Sequence, residues 1–241
     1  MFTLLTLDTV DSTMLEAARQ AAAGQRGPLV ICARTQTGGV GRHGRNWSSP
    51  PGNLYWTVLL DDPADIPRDA GLAFAAGLAI LDALAALGIL PDRLRLKWPN
   101  DVLLDGRKIA GLLVEASLTG AQARIIVGIG INVATSPADA AYPATSLADA
   151  GPLPALDTMR DALTDAFLRR RSQWHRTGLG PLRDEAADRL HGVGASATVA
   201  LDRDRTDLLH GINEGLAPSG ALRLRTADGA LHTLLAGDVL A

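Results

Sequence analysis

TQTGGVGRHGRNW, residues 35–47, places four glycines, two arginines and a histidine in thirteen positions. Gly39, Gly41 and Gly44 stand in the G-x-G-x-x-G spacing of a dinucleotide-binding turn. The strand-like run from Leu54 to Leu60 even ends in Asp61 and Asp62, about where a ribose-binding carboxylate would fall. Such a turn needs its third glycine to open a helix whose N-terminus holds the pyrophosphate. Here RNWSSPPGN follows Gly44, and Pro50-Pro51-Gly52 opposes a helix. The match is coincidental. A Walker loop is excluded as well, because no Gly-Lys-Ser/Thr follows the glycines. What remains is a glycine-rich loop carrying Arg42, His43 and Arg45 between two strands. It reads either as a solvated basic loop or as a loop that brings bidentate donors to carboxylate or phosphate oxygens.

Outward from the loop, Phe2–Thr9 reads as a strand and DSTMLEAARQAAAG (11–24) as a helix. Thr13 with Glu16 fits a capping box there, and Gly24 fits a C-terminal stop. Leu29–Thr35 and NLYWTVLL (53–60) are β-rich, and a long helix spans about Arg68 to Leu87. LRLKWP looks extended. VLLDGRKIAGLLVEAS reads as a hairpin turning at Asp105-Gly106, and RIIVGIGINV as its next strand after a turn at Thr119-Gly120. Residues 135–155 read as loop. Met159, Leu163, Phe167 and Trp174 keep helical spacing to about His175, and a second helix covers about Leu182–Leu190. From Val193 the texture changes to short alternating runs broken by Asp, Gly and Pro, the signature of a small β domain.

The net charge of −3 excludes a molecule-wide polyanion binder, so any anion chemistry must come from a local Arg/Lys cluster. The single cysteine, Cys32, excludes an intramolecular disulfide framework and a multi-cysteine zinc site, and its apolar setting LVICA reads as a buried structural thiol. The run GLAFAAGLAILDALAALGIL (71–90) has membrane-spanning length, but half of it is Ala and Gly. Its central Asp82 carries a penalty of about 2.5–3.5 kcal/mol in a bilayer, so it reads as a buried helix. The N-terminus has no signal-peptide pattern, and a cytoplasmic, soluble protein is expected.

Three further clusters join the loop. KWPND (97–101) crowds Lys97, Asn100 and Asp101 at the end of an apolar strand. GRKIAG (106–111) puts Arg107 and Lys108 on a hairpin, with Gly111 leaving room against the strand. GIGIN (128–132) offers a flat strand surface beside Asn132, whose amide could read a purine edge. Each alone has a bland explanation. Together they describe a groove for a flat ligand with an anionic group.

At these residues the sequence resembles the biotin protein ligases over nearly its whole length. DST (11–13), GVGRHGRNW (39–47), KWPND, GRKIAGLLVE (106–115) and GIGINV (128–133) stand in that family's order and spacing. The resemblance implies an α+β fold: a mixed β-sheet flanked by helices, of the class II synthetase-like kind, followed by a small SH3-like β-barrel. The expected domains are residues 1–190 and 191–241. It implies ATP-dependent formation of biotinyl-5′-AMP, with Mg²⁺ arriving on ATP and no fixed metal site. The biotin then passes to a lysine of a carboxylase carrier domain, by default that of acetyl-CoA carboxylase. Ser12, Thr13, Gln36, Gly39, Val40, Gly41, Arg42, Lys108 and Gly111 match the biotin side. Arg45, Trp47, Asn100, Gly130 and Asn132 match the nucleotide side. Lys108, Arg42 and Asp101 match the catalytic positions, Asp101 near the incoming lysine. Trp98, Trp56 and Trp174 read as core, and His43 as a solvated loop residue.

Two positions depart from the family's pattern: Val40 stands where an arginine is usual, and Met14 follows DST where asparagine is usual. Three rivals stand beside the ligase. They are a lipoate or octanoate transferase, a biotin-responsive DNA-binding repressor, and a non-catalytic adenylate binder. The repressor is disfavoured because DST begins at residue 11, leaving no room for a helix-turn-helix, and because the charge is acidic. No DNA or membrane partner is expected, and the resemblance admits a monomer or a homodimer.

Overall fold

In the computed structural model, which describes residues 2–63, 70–119, 122–138, 140 and 142–240, the chain runs β1 (Thr3–Val10), α1 (Thr13–Ala22), β2 (Leu29–Gln36), β3 (Leu54–Pro63) and α2 (Gly71–Ala86). It continues with β4 (Leu94–Lys97), β5 (Asp101–Leu104), β6 (Arg107–Thr119), β7 (Gln122–Ile131), α3 (Leu156–Thr177) and α4 (Leu179–Asp188). Five short strands close it: β8 (Ser196–Ala200), β9 (Leu208–Leu216), β10 (Leu222–Arg225), β11 (Leu231–Leu234) and β12 (Asp238–Val239). The first seven strands form one sheet in the order β1-β2-β3-β7-β6-β5-β4, parallel only between β1 and β2; the rest form a second, antiparallel sheet in the order β11-β10-β9-β8-β12. This is the mixed sheet that the family resemblance implies, followed by the small β unit that the change of texture at Val193 announces.

Strand alternation sorts the large sheet's two faces. Trp56, Val58 and Leu60 of β3 and Ile125, Val127 and Ile129 of β7 pack on one side under α2, α3 and α4. The opposite side of β7 carries Ile126 under α1, then Gly128 and Gly130. The helical layer is driven by α2, whose Leu72, Phe74, Leu78, Ile80, Leu81 and Leu84 are all buried. Each such side chain contributes about 1.5–3 kcal/mol on full burial. Asp82, the charge inside this apolar run, reaches Arg170 of α3 at 2.7 and 2.9 Å, and Arg170 reaches Glu185 of α4 at 2.6 and 2.7 Å. Among the described residues no helix is long and apolar enough to cross a membrane. The expected extension of α2 back to Arg68, and Gly120 of the turn after Thr119, lie outside the described residues.

One local expectation is corrected. Ser12, not Thr13, is the N-cap of α1: its extended backbone (φ −153°, ψ 136°) lets the hydroxyl accept from the Met14 N–H at 3.2 Å. Thr13 is already helical, so Glu16 lies one residue too far along the helix to complete a capping box with Ser12. The Asp105-Gly106 turn forms as expected, both residues holding positive φ (50° and 76°), the geometry of a two-residue hairpin.

Candidate active site

The glycines of β6 and β7 define the site's floor. Gly111 pairs directly with Gly130 across the strands, on the face away from α2. Above them lies the indole of Trp47. A Cβ at Gly130 would sit 2.5 Å from its Nε1, and one at Gly111 would sit 2.9 Å from its Cζ3. Gly128 makes the same allowance for Met14, whose Sδ would lie 2.6 Å from an added Cβ. The flat strand surface expected to receive a ligand therefore receives the Trp47 ring and the Met14 side chain first. A ligand here meets the indole, not bare strand.

Lys108 reaches the same face through a bulge. Three residues from Gly111, it would point to the opposite side of a regular strand. Val102 pairs with Ala110 but Leu103 pairs with Lys108, so Ile109 is the extra residue. Ile109 and Ala110 consequently both enter the core, and Lys108 turns to the pocket beside Gly111. Its Nζ lies 2.6 Å from Asp101 Oδ1 and 5.3 Å from the centre of the Trp47 ring.

The turn Trp98–Asn100 between β4 and β5 delivers the rest of KWPND. Asn100 clips the turn to β6: its Nδ2 donates to the Leu112 carbonyl at 3.0 Å, and its own carbonyl accepts from Leu112 N–H at 2.9 Å. Its Oδ1 is left facing Arg42 at 3.5 Å. Lys97 is buried. Its Nζ donates to the Val239 carbonyl at 2.6 Å, lies 4.0 Å over the Tyr142 ring and stands 3.9 Å from Asp101 Oδ2. Burial pushes its pKa below the usual lysine value, against the pull of Asp101.

The glycine loop is folded rather than open. Val40 bridges Asn46, Gly41 N–H donates to the Arg45 carbonyl at 2.8 Å, and a single 3₁₀ turn covers Arg42–Gly44. Gly39 sits beneath it, packed so closely that a Cβ would lie 2.5 Å from the Trp47 carbonyl. It supports the loop and does not reach the cavity. Arg42 donates to Asp238 Oδ1 at 2.8 Å and to the Gly237 carbonyl at 3.0 Å, and Arg45 pairs with the other oxygen of Asp238. His43 is exposed, as the sequence suggests.

At the N-terminus of α1, a one-way chain of hydrogen bonds organises the polar end. Thr57 Oγ1 donates to Thr13 Oγ1 (2.8 Å), which donates to Gln36 Oε1 (3.0 Å). Gln36 Nε2 then donates to Ser49 Oγ (2.8 Å), and Ser49 to the Trp47 carbonyl (2.9 Å). With its proton spent on Thr13, Thr57 keeps only acceptor capacity toward the cavity. Sequence reading missed Thr57, Ser49 and Asp238, because nothing in their own segments marks them out. Asn132 borders the cavity with its side chain buried, and its Nδ2 also donates to the Thr145 carbonyl at 3.1 Å, pinning the loop after β7. Trp98 is core, as expected, but of the second sheet's apolar cluster with Leu190, Val199, Leu222 and Leu224. Trp56 donates its indole N–H to Thr164, and Trp174 is buried in the main core.

These elements enclose a cavity of about 550 Å³, well sized for a small-molecule ligand. Apart from Gly39, every residue expected from the sequence borders it. Five cationic side chains (Arg42, Arg45, Lys97, Lys108 and Arg205) face two carboxylates, Asp101 and Asp238, so the cavity is cationic in a chain of net charge −3. The N-terminal dipole of α1 adds to that field. Among the described residues no group of three or more His, Cys, Asp or Glu side chains is placed to hold a metal ion.

Comparison with known proteins gives this geometry a family. Residues 7–132 match the biotin/lipoate A/B protein ligase family, and residues 198–240 match the biotin protein ligase C-terminal domain. The chain is 37% identical over 230 residues to a biotin–[acetyl-CoA-carboxylase] ligase of Paracoccus denitrificans, covering 92% of this chain and 94% of that protein. The chain belongs to the biotin/lipoate A/B protein ligase family. It is also 40% identical over 137 residues to the biotin–[acetyl-CoA-carboxylase] ligase of Mycobacterium tuberculosis, spanning half of that protein. Its fold is similar to the biotin protein ligase of Aquifex aeolicus in complex with biotin and ATP, with a TM-score of 0.83 and 26% identity over 98% of this chain and 97% of that one. The two positions at which this family member departs from the usual motifs come together. Met14 belongs to the apolar cluster under α1, and Val40 packs against the same cluster with Leu113.

Proposed function

We propose that this chain joins biotin to ATP as biotinyl-5′-AMP and passes the biotin to a lysine of a carboxylase carrier domain. The carrier is that of an acetyl-CoA carboxylase, the partner named for the Paracoccus and Mycobacterium relatives. The observation that carries the reading is one cavity lined by Lys108, Trp47 and Arg42, in which Lys108 is ion-paired to Asp101 at 2.6 Å and lies over the Trp47 ring.

A carboxylate must attack an anionic α-phosphate, and that repulsion is the barrier to lower. The biotin carboxylate oxygen forms a bond to phosphorus while the bond to pyrophosphate breaks. Lys108 and Arg42 screen the two anions and stabilise the charge of the in-line transition state. Mg²⁺ on the triphosphate neutralises phosphate charge when bound. Thr57, Thr13 and Gln36 form the polar end that orients the biotin ring, while Met14, Val40 and Leu113 face its apolar parts. Trp47 presents a buried indole N–H with no hydrogen-bond partner, a donor suited to the nucleotide.

In the second step the neutral amine of the carrier lysine attacks the anhydride carbonyl, AMP leaves, and one proton must be taken up. In this reading Asp101, which lines the cavity and pairs with Lys108, takes that proton. Its pairing with Lys108 ties the cation of the first step to the base of the second. Asp101→Asn should slow transfer from preformed adenylate; transfer at the wild-type rate would exclude Asp101 as the base. Including lipoate and octanoate as competitors in a biotin-binding titration separates this reading from the acyl-transfer alternative.

A further inference from the structure

β12 is two residues long, yet with Gly237 before it this strand ties the second sheet to the cavity through several polar contacts. Lys97 donates to the Val239 carbonyl, Arg42 to the Gly237 carbonyl and to Asp238, and Arg45 pairs with Asp238. Arg205, from the loop between β8 and β9, approaches the same carboxylate at 4.0 Å. Arg42 and Asp238 are largely shielded, at 18% and 14% side-chain exposure. Both arginines of the glycine loop are therefore seated on a single carboxylate of the second sheet. Gly237 makes this seat possible: its φ is +148°, and a Cβ there would lie 2.8 Å from Val199 Cγ1 and 3.0 Å from the Ala200 carbonyl.

We propose that Asp238 is a positioning residue that clasps the glycine loop shut over the acyl-adenylate by replacing pyrophosphate as the counter-charge to Arg42 and Arg45. The proposal rests on the biotin-adenylating reading above. While the triphosphate is bound, its oxygens satisfy the two guanidiniums. When pyrophosphate leaves, two neighbouring cations would be left facing each other over a reactive anhydride, and their repulsion would open the loop. A fixed carboxylate between them removes the repulsion and holds both side chains. The closed loop keeps water from the anhydride carbonyl, where attack would release biotin and AMP and waste the activated acid.

The test is a single turnover of radiolabelled biotin with ATP and Mg²⁺ in the absence of carrier. Rapid gel filtration then separates bound from released adenylate, and melting temperatures are recorded in parallel. In Asp238→Asn the ratio of released to bound adenylate should rise about tenfold, the effect of losing a charge-assisted hydrogen bond. Asp238→Glu should restore retention. Val199→Ala, which loosens the packing behind β12 while keeping the carboxylate, should retain adenylate at a comparable loss of melting temperature. Unchanged retention in Asp238→Asn overturns the clasp alone, as does equal leakage from Val199→Ala. A wild type that forms no adenylate overturns the biotin reading, and the clasp with it.

Discussion

Gly130→Ala isolates the glycine floor. The added methyl would lie 2.5 Å from Nε1 and Cε2 of Trp47 and 2.7 Å from Cζ2, contacts no packed atom sustains. Overpacking of this kind carries about 1–3 kcal/mol of strain. Replacing a strand glycine by alanine returns roughly 0.5–1 kcal/mol through the unfolded chain. Trp47 belongs to a loop and is only half-buried, so it can lift off the sheet. Stability should then fall by no more than about 1 kcal/mol, because lifting the ring relieves most of the strain. The strain reappears on binding, because closing the cavity requires the ring to return to the floor. Affinity for ATP should fall by about 1–2 kcal/mol, roughly 5- to 30-fold, read by isothermal titration calorimetry. Gly180→Ala in α4 meets nothing within 4 Å and serves as the control; it should gain stability and leave ATP affinity unchanged. Wild-type ATP affinity in Gly130→Ala would refute the assignment of the floor to Trp47.

Thr57→Val removes the head of the hydrogen-bond chain while keeping the volume. Biotin affinity should drop by about 1–1.5 kcal/mol with ATP affinity unchanged, and equal losses for both ligands would contradict the placement of the polar end. Burial pushes the Cys32 thiol up to about 12, so iodoacetamide at pH 8 should label it only after unfolding; labelling of the native protein would show it is not enclosed. Burial alone would raise the Asp238 carboxyl, but Arg45, Arg42 and His43 outweigh it and hold the value below the ordinary 3.8. A depressed carboxylate contributes stability that is fully present above the unfolded value and is lost as pH falls through the folded one. The wild type should therefore show an acid transition below pH 3.8 that is smaller in Asp238→Asn; identical acid profiles would mean the carboxylate contributes nothing.

Much of this architecture is legible because it rests on local rules. The two-residue turn at Asp105-Gly106 needs positive φ twice, and few other dipeptides supply it. The apolar positions of α3 repeat with helical period, and the Pro50-Pro51-Gly52 break alone removes the dinucleotide fold. The parts that escaped are those set by non-local pairing. The bulge at Ile109 leaves no mark on GRKIAG, yet it decides that Lys108 faces the cavity. Met14 and Val40 are far apart in sequence and read as two separate departures, but both fall on the apolar cluster beneath α1. Asp238 sits in a short run whose importance appears only when β12 docks beside Arg42. That Asn132 also pins the loop at Thr145 is equally invisible in GIGIN, because its partner lies thirteen residues on.

The most direct test compares wild type with Lys108→Ala for biotin transfer to a carrier domain, with ATP and Mg²⁺. Lys108 is 23% exposed and pairs with Asp101. Removing a screening charge beside two reacting anions should raise the barrier by about 2–3 kcal/mol after solvent screening, a loss on the order of 100-fold. Wild-type transfer that collapses to this extent in the variant, with its melting temperature preserved, is the result the account predicts. Transfer by Lys108→Ala at the wild-type rate, or a wild type that binds no biotin, would contradict it.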